Sequence, residues 1–148
     1  MDLRRLRAGE WLTAASGVAL LVSLFMPWYT VGDAADASGF ESLAAIDVLL
    51  GLVAASAVLL AVVTAAQREP AVPIALSALV ALAGMLGVLL VLFRVVDLPD
   101  GAGGRDWGLW LSLATAAGIV CGAMVAMRAE VHPGAARTEI EAIPAPRP

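Results

Sequence analysis

Apolar residues gather along the chain into four long runs, 11–29, 44–66, 73–93 and 107–127, with short polar stretches between them. The first run, WLTAASGVALLVSLFMPWY, holds no charge, and the second is interrupted only by Asp47. At about 1.5 Å of rise per residue, each run makes a helix able to cross most or all of a hydrocarbon core about 30 Å thick. A helix satisfies its own backbone hydrogen bonds in lipid, so the runs predict four transmembrane helices. Pro27 lacks a backbone donor and biases Met26 away from helical geometry, which predicts an end or bend in the last turn of the first helix. Pro73 suits the first position of the third helix, where a missing donor costs nothing.

The flanks orient the runs. Arg4, Arg5 and Arg7 precede the first run, and Asp33, Asp36 and Glu41 follow it. Positive charge stays in the cytoplasm, so the N-terminus is expected inside, and four crossings return the C-terminus to the same side. Trp28, Tyr29, Trp107 and Trp110 then fall at the outer interface and Trp11 at the inner one, where aromatic rings keep their polar edges wet. The glycine-bearing stretches 30–43 and 94–106 read as irregular outer loops. The proline-rich tail, 129–148, reads as a disordered cytoplasmic segment. Arg4 to Arg7 followed by Ala35-Asp36-Ala37 also has the parts of a cleaved signal peptide. The apolar run is longer than a signal peptide's, and the small-residue site lies well beyond it, so an anchor is expected. Arg4-Arg5 lacks the surroundings of a twin-arginine signal.

Composition sharpens this reading. The chain has 148 residues, 61% of them hydrophobic and 15% charged, and its mean hydropathy is +0.89. These values place it in the membrane class as one domain, 1–128, with the tail appended. By this threading the inner segments hold seven arginines and six acids, and the outer ones two arginines and seven acids. There is no lysine, which leaves nucleic-acid binding without a basic face. Cys121 is the sole cysteine, so no internal disulfide is possible.

The short inner turn at 67–70 makes the second and third helices antiparallel neighbours. The expected fold is therefore an all-α, up-down-up-down bundle of four transmembrane helices. Burying leucine on leucine gains little in lipid, so contact is expected where small residues let backbones approach. Those residues are Ser16, Ala19 and Ser23 on the first helix and Gly51 and Ala55 on the second. Ser77, Ala81, Gly84 and Gly87 serve the third, and Ala114, Gly118, Gly122 and Ala126 the fourth. Gly118 and Gly122 form a GxxxG, which serves either an internal face or a homodimer. Counting from the helix ends puts Gly84 level with Gly118, Gly87 with Ala114, Ser23 with Gly51 and Ala19 with Ala55.

Candidate chemistry is sparse. Asp47 is the one acid inside a run, about one turn from the outer end of its helix, which points to interfacial anchoring at a helix N-terminus or to an ion site. The same counting places Arg94 beside it as the expected partner in an interfacial ion pair, with Arg105 as competitor. The outer acids do not match a calcium loop, and 101–105 follows no strand, so it is not a phosphate loop. His132, the sole histidine, lies in the tail, so no haem ligands and no serine–histidine pair are expected within the helices. Cys121 reads as a small packing residue. No catalytic site, cofactor or metal site is expected.

Glu10-Trp11, Ser23-Leu24-Phe25-Met26-Pro27-Trp28-Tyr29, Ala45-Ile46-Asp47-Val48-Leu49-Leu50 and Gly108-Leu109-Trp110-Leu111 together resemble small four-pass membrane proteins of unassigned function from high-GC Gram-positive bacteria. The resemblance implies a topology and a bacterial plasma-membrane address. The four-pass count is also similar to small multidrug transporters, but those carry an acid mid-membrane in the first helix, which is missing here. The resulting expectation is a non-enzymatic accessory, scaffold or envelope-associated subunit. Its partners would be the bilayer and either a second copy or another membrane protein. The alternative is a small oligomeric transporter or channel using Asp47 or the outer acids for a cation.

Overall fold

A computed structural model describes residues 6–30, 37–38, 44–66, 71–98 and 102–131. Among them are four helices: α1, Ala8–Ser23; α2, Ala44–Ala66; α3, Ala71–Val96; and α4, Trp107–Val131. Three short strands join them: β1, Pro27–Thr30; β2, Ala37–Ser38; and β3, Gly104–Arg105. By length and composition, α2, α3 and α4 can each cross a membrane, whereas α1 is shorter.

The first apolar run divides. Its helix begins at Ala8, before Trp11, because the Glu10 side chain accepts a hydrogen bond from the Arg7 backbone amide and caps the first turn. Glu10, which precedes the first apolar run, is buried there. The helix ends at Ser23, four residues ahead of Pro27. The turn tightens as Phe25 N donates to Val22 O and Met26 N to Ser23 O, and the chain becomes extended at the proline. Trp28 and Tyr29 therefore lie in β1 rather than in the last helical turn. At 16 residues, α1 is about 24 Å long, and β1 continues the same run beyond it.

Each helix packs against two others, in the cyclic order α1, α2, α3, α4 and back to α1. The contacts fall in antiparallel register. Ser23 meets Ser112 at one end of the α1–α4 seam, and Gly9 meets Ala126 at the other. A Cβ on Gly122 would lie 2.7 Å from Thr13 N and 2.9 Å from Gly9 O, so the backbones nearly touch. Gly17 faces Ala54 and Ala57 of α2, Gly87 faces Val53 and Leu50 of α2, and Gly84 faces Ile119 and Val120 of α4. Two apolar clusters fill the interior, one around Leu20, Ala57, Leu60 and Ile119, the other around Leu24, Trp28, Leu50 and Val91. Outside, large apolar side chains such as Leu52, Leu79, Leu82, Leu89 and Phe93 stand exposed all round. A protein surrounded by water rarely shows such a surface.

Several expected packing residues lie elsewhere. Gly51 has nothing within 4 Å of the place its Cβ would occupy, and Ala55 is exposed. The buried face of α2 runs instead through Asp47, Leu50, Val53, Ala54, Ala57 and Leu60. Gly118 faces Ser16 of α1, not Gly84. Ala114 is exposed, and Gly87 turns to α2. Cys121 is exposed rather than packed. Pro73 sits two residues inside α3, still in the first turn, where backbone donors have no helical acceptor. The stretches expected to be irregular contribute β2 and β3, and the three strands make an antiparallel sheet in the order β2-β1-β3. Tyr29 pairs with Ala37 on one side and Arg105 on the other.

Candidate functional site: a buried charge cluster beneath the sheet

The sheet closes one end of the helices, and the buried side chains of Tyr29, Asp47 and Arg94 lie at that end, whereas buried Glu10 lies at the other. β1 brings two aromatic rings inward. Trp28 is 0% and Tyr29 1% exposed, so neither stands in an interfacial belt. The Trp28 indole N–H donates to Ser23 O at 2.8 Å, a carbonyl at the end of α1 that also accepts from Met26 N. Asp106 N donates to Trp28 O at 2.8 Å, which ties β1 to the start of α4. Gly108 is the close-approach point: a Cβ there would lie 2.9 Å from Trp28 Cδ1 and 3.0 Å from Met26 Cβ. Trp107 and Trp110, in contrast, are exposed.

Tyr29 reaches the last turn of α3. Its hydroxyl donates to Arg94 O at 3.0 Å, and the Arg94 guanidinium carbon lies 5.2 Å from the centre of its ring, within range of a cation–π contact. Arg94 is 1% exposed, and among the described residues its Nε and Nη2 find no hydrogen-bond acceptor. Asp47, in the first turn of α2, is 0% exposed. It lies inside the packed helices and not at an open interface. Arg105 pairs with Tyr29 across β1 and β3, and Asp97 follows the end of α3. Arg105 is exposed, and its Nε donates to Val95 O at 2.6 Å.

Asp47 and Arg94 stand on facing stripes. On α3 the buried positions are Ser77, Val80, Ala81, Gly84, Gly87, Val91 and Arg94. Gly87 touches Leu50 and Val53. One helical turn from Leu50 toward the sheet is Asp47, and Arg94 is two turns from Gly87 in the same direction. Tyr29 was missed as a member of this cluster by sequence reasoning, because an aromatic residue at the end of an apolar run has the same signature as a belt residue. Pro27 just before it was the available signal for an extended strap that folds inward.

The remaining polar residues serve packing. Ser112 Oγ donates to Ser23 Oγ at 2.8 Å across the α1–α4 seam, and Thr13 Oγ1 donates to Gly9 O at 2.8 Å. A shallow apolar groove of about 300 Å³ between α3 and α4 is lined by Met85, Val88, Leu89, Ala117, Val120 and Cys121. Among the described residues no three His, Cys, Asp or Glu side chains come together as a metal set. Asp33, Asp36, Glu41, Asp100 and His132 lie outside the described residues. No family model, no curated protein and no solved structure matches the chain.

Proposed function

We propose that this is a four-pass integral protein of a bacterial plasma membrane, with both termini cytoplasmic, acting as a non-enzymatic accessory, scaffold or envelope-associated subunit. In this reading α1 crosses with the strap β1, and the helices form an up-down-up-down bundle. The observation that carries the reading is where the buried polar side chains go. Ser23 and Ser112 join helices, and Tyr29 holds the end of α3. Polar groups spent on helix contacts suit a protein whose task is to present a stable body and an apolar perimeter to lipid and partners. Cross-linking and mild-detergent purification from native membranes tests it: a stoichiometric membrane partner is expected. Turnover of a substrate by the purified protein alone would overturn it.

A second reading draws on one observation, the full burial of Asp47. Intramembrane carboxylates mark ion pathways, so a small oligomeric transporter or channel using Asp47 for a cation is the alternative. Reconstituted liposomes decide it. Cation flux abolished by Asp47→Asn supports transport, and equal flux or none from both proteins removes it.

A further inference from the structure

We propose that the groove between α1 and α2 at the Arg7 end binds one anionic phospholipid, with an acyl chain between the helices and the phosphate on Arg7. The inference rests on the membrane embedding proposed above and goes beyond the subunit role, because it assigns a ligand and a binding site.

Gly17 faces Ala54 and Ala57, which sets the antiparallel register of α1 against α2. Carried toward the start of α1, that register puts Ala14 beside Val58, Trp11 beside Ala61 and Val62, and Leu6 beside Ala65. These seven residues line a groove of about 150 Å³. Along α2 it runs from Val58 to Ala65, about 10 Å of helix. Ala61 and Ala65, 8% and 4% exposed, form a floor, and the Trp11 ring, 51% exposed, forms a wall. No lining side chain ionises, and the only polar side-chain atom among them is the indole nitrogen. Such a groove takes an alkyl chain and not a polar solute.

The charge at its mouth decides which lipid. Arg7 directly follows Leu6 and is exposed. Its guanidinium carries five donors in a planar fork, so it serves a phosphate alongside its contacts within the protein. Glu10, the nearest acid in the sequence, is 3% exposed, and its carboxylate accepts from the Arg7 backbone amide. Across the α1–α4 seam Gly9 meets Ala126 and Thr13 meets Gly122, a register that sets exposed Arg128 at the level of Arg7. The first seven residues of the sequence hold three arginines against one acid. Basic positions beside membrane helices select anionic headgroups in this way. The larger groove between α3 and α4 has no such mouth. Its lining falls within 73–93 and 107–127, which carry no charge, so nothing there prefers an anionic lipid to a neutral one.

A brominated acyl chain quenches a tryptophan that it touches, and Trp11 is a wall of the groove. The test uses the full chain with Trp107→Phe and Trp110→Phe, which leaves Trp11 and the buried Trp28. Brominated phosphatidylglycerol or brominated phosphatidylcholine is added to it in a neutral detergent. Half-quenching should need less of the anionic lipid than of the neutral one, on the order of fivefold less, the gain one arginine gives beside an anionic surface. Arg7→Gln should abolish the difference. Ala61→Phe, or Ala14→Phe if the first fails to fold, should fill the groove and remove the preference while Arg7 stays. Inorganic phosphate should not displace the lipid. Equal quenching by the two lipids in the parent overturns the proposal, as does a preference that survives Arg7→Gln or a folded groove-filling variant. Full displacement by phosphate overturns the part given to the acyl chain. A chain that stays in solution without detergent overturns the membrane embedding itself, a result separate from loss of lipid preference.

Discussion

The Tyr29 hydroxyl donates to the carbonyl of Arg94 at 3.0 Å while the guanidinium of that same residue lies 5.2 Å from the centre of its ring. One side chain thus holds both the backbone and the charge of the last turn of α3. Tyr29→Phe should lower the melting temperature by the loss of one buried hydrogen bond worth about 1 kcal/mol. Thermal melting beside the parent is the measurement, and an unchanged melting temperature would mean that the hydroxyl adds nothing to the hold on α3.

The glycines divide by facing, and substitution should separate them. Gly122→Ala places a Cβ 2.7 Å from Thr13 N and 2.9 Å from Gly9 O, both backbone atoms that cannot yield without moving a helix. A destabilisation of about 1–3 kcal/mol is expected from such overpacking. Gly51→Ala meets nothing within 4 Å and should be neutral or stabilising by up to about 1 kcal/mol through helix propensity. Thermal melting of the two variants in one detergent is the measurement, and equal effects would mean that the two glycines do not differ in facing.

Gly108→Leu tests the strap from the other side. Even a Cβ at this position would lie 2.9 Å from Trp28 Cδ1, so the longer side chain must displace β1. Proteolysis between the helices at the sheet end, followed by mass spectrometry, should find cleavage near β1 in the variant that the parent resists. Leucine at neighbouring Leu109, already buried in the cluster with Trp28 and Leu24, serves as the reference for how a fitted residue behaves there.

Ser23 and Ser112 form the side-chain bond that joins α1 to α4. Both hydroxyls are fully buried. The single Ser112 proton can turn instead to Gly108 O at 2.8 Å, and Ser23 donates to Leu20 O, so each hydroxyl has a local partner when the other is removed. A double-mutant cycle with alanine should return a coupling of only about 0.6 kcal/mol, the usual scale for polar contacts between membrane helices. Coupling well above that would mean the seam depends on this bond more than on close backbone packing.

Membrane orientation is read by reporter fusions. Fusions at Met1 and at Pro148 should both report a cytoplasmic position, since Arg4, Arg5 and Arg7 precede the first apolar run and Arg128 follows the last, while acids dominate 30–43 and 94–106 in the sequence. A periplasmic signal from either fusion would overturn the threading.

Helix number and depth were legible in the amino-acid order, because they follow from run length and from counting along antiparallel partners. Gly87 beside Leu50 and Val53, and Gly84 beside Ile119 and Val120, lie where such counting puts them along the axis. Azimuth was not legible. In a membrane helix the buried face and the lipid face are both apolar, so leucine and alanine carry no sign of which way they point. That is why Gly51 and Ala55 looked like a seam while Val53, Ala54 and Ala57 form it. The end of the first run was also ambiguous. Pro27 announced a break, but Trp28 and Tyr29 carry the composition of a belt whether they face lipid or fold inward. Only the tertiary structure, by pairing β1 with β2 and β3 and offering Ser23 O and Arg94 O as acceptors, decided that they turn in. The same packing buried Asp47 and Arg94 on the stripes of α2 and α3 that carry Leu50 and Gly87, because neighbouring helices at a common level still need the right rotation to turn a side chain inward.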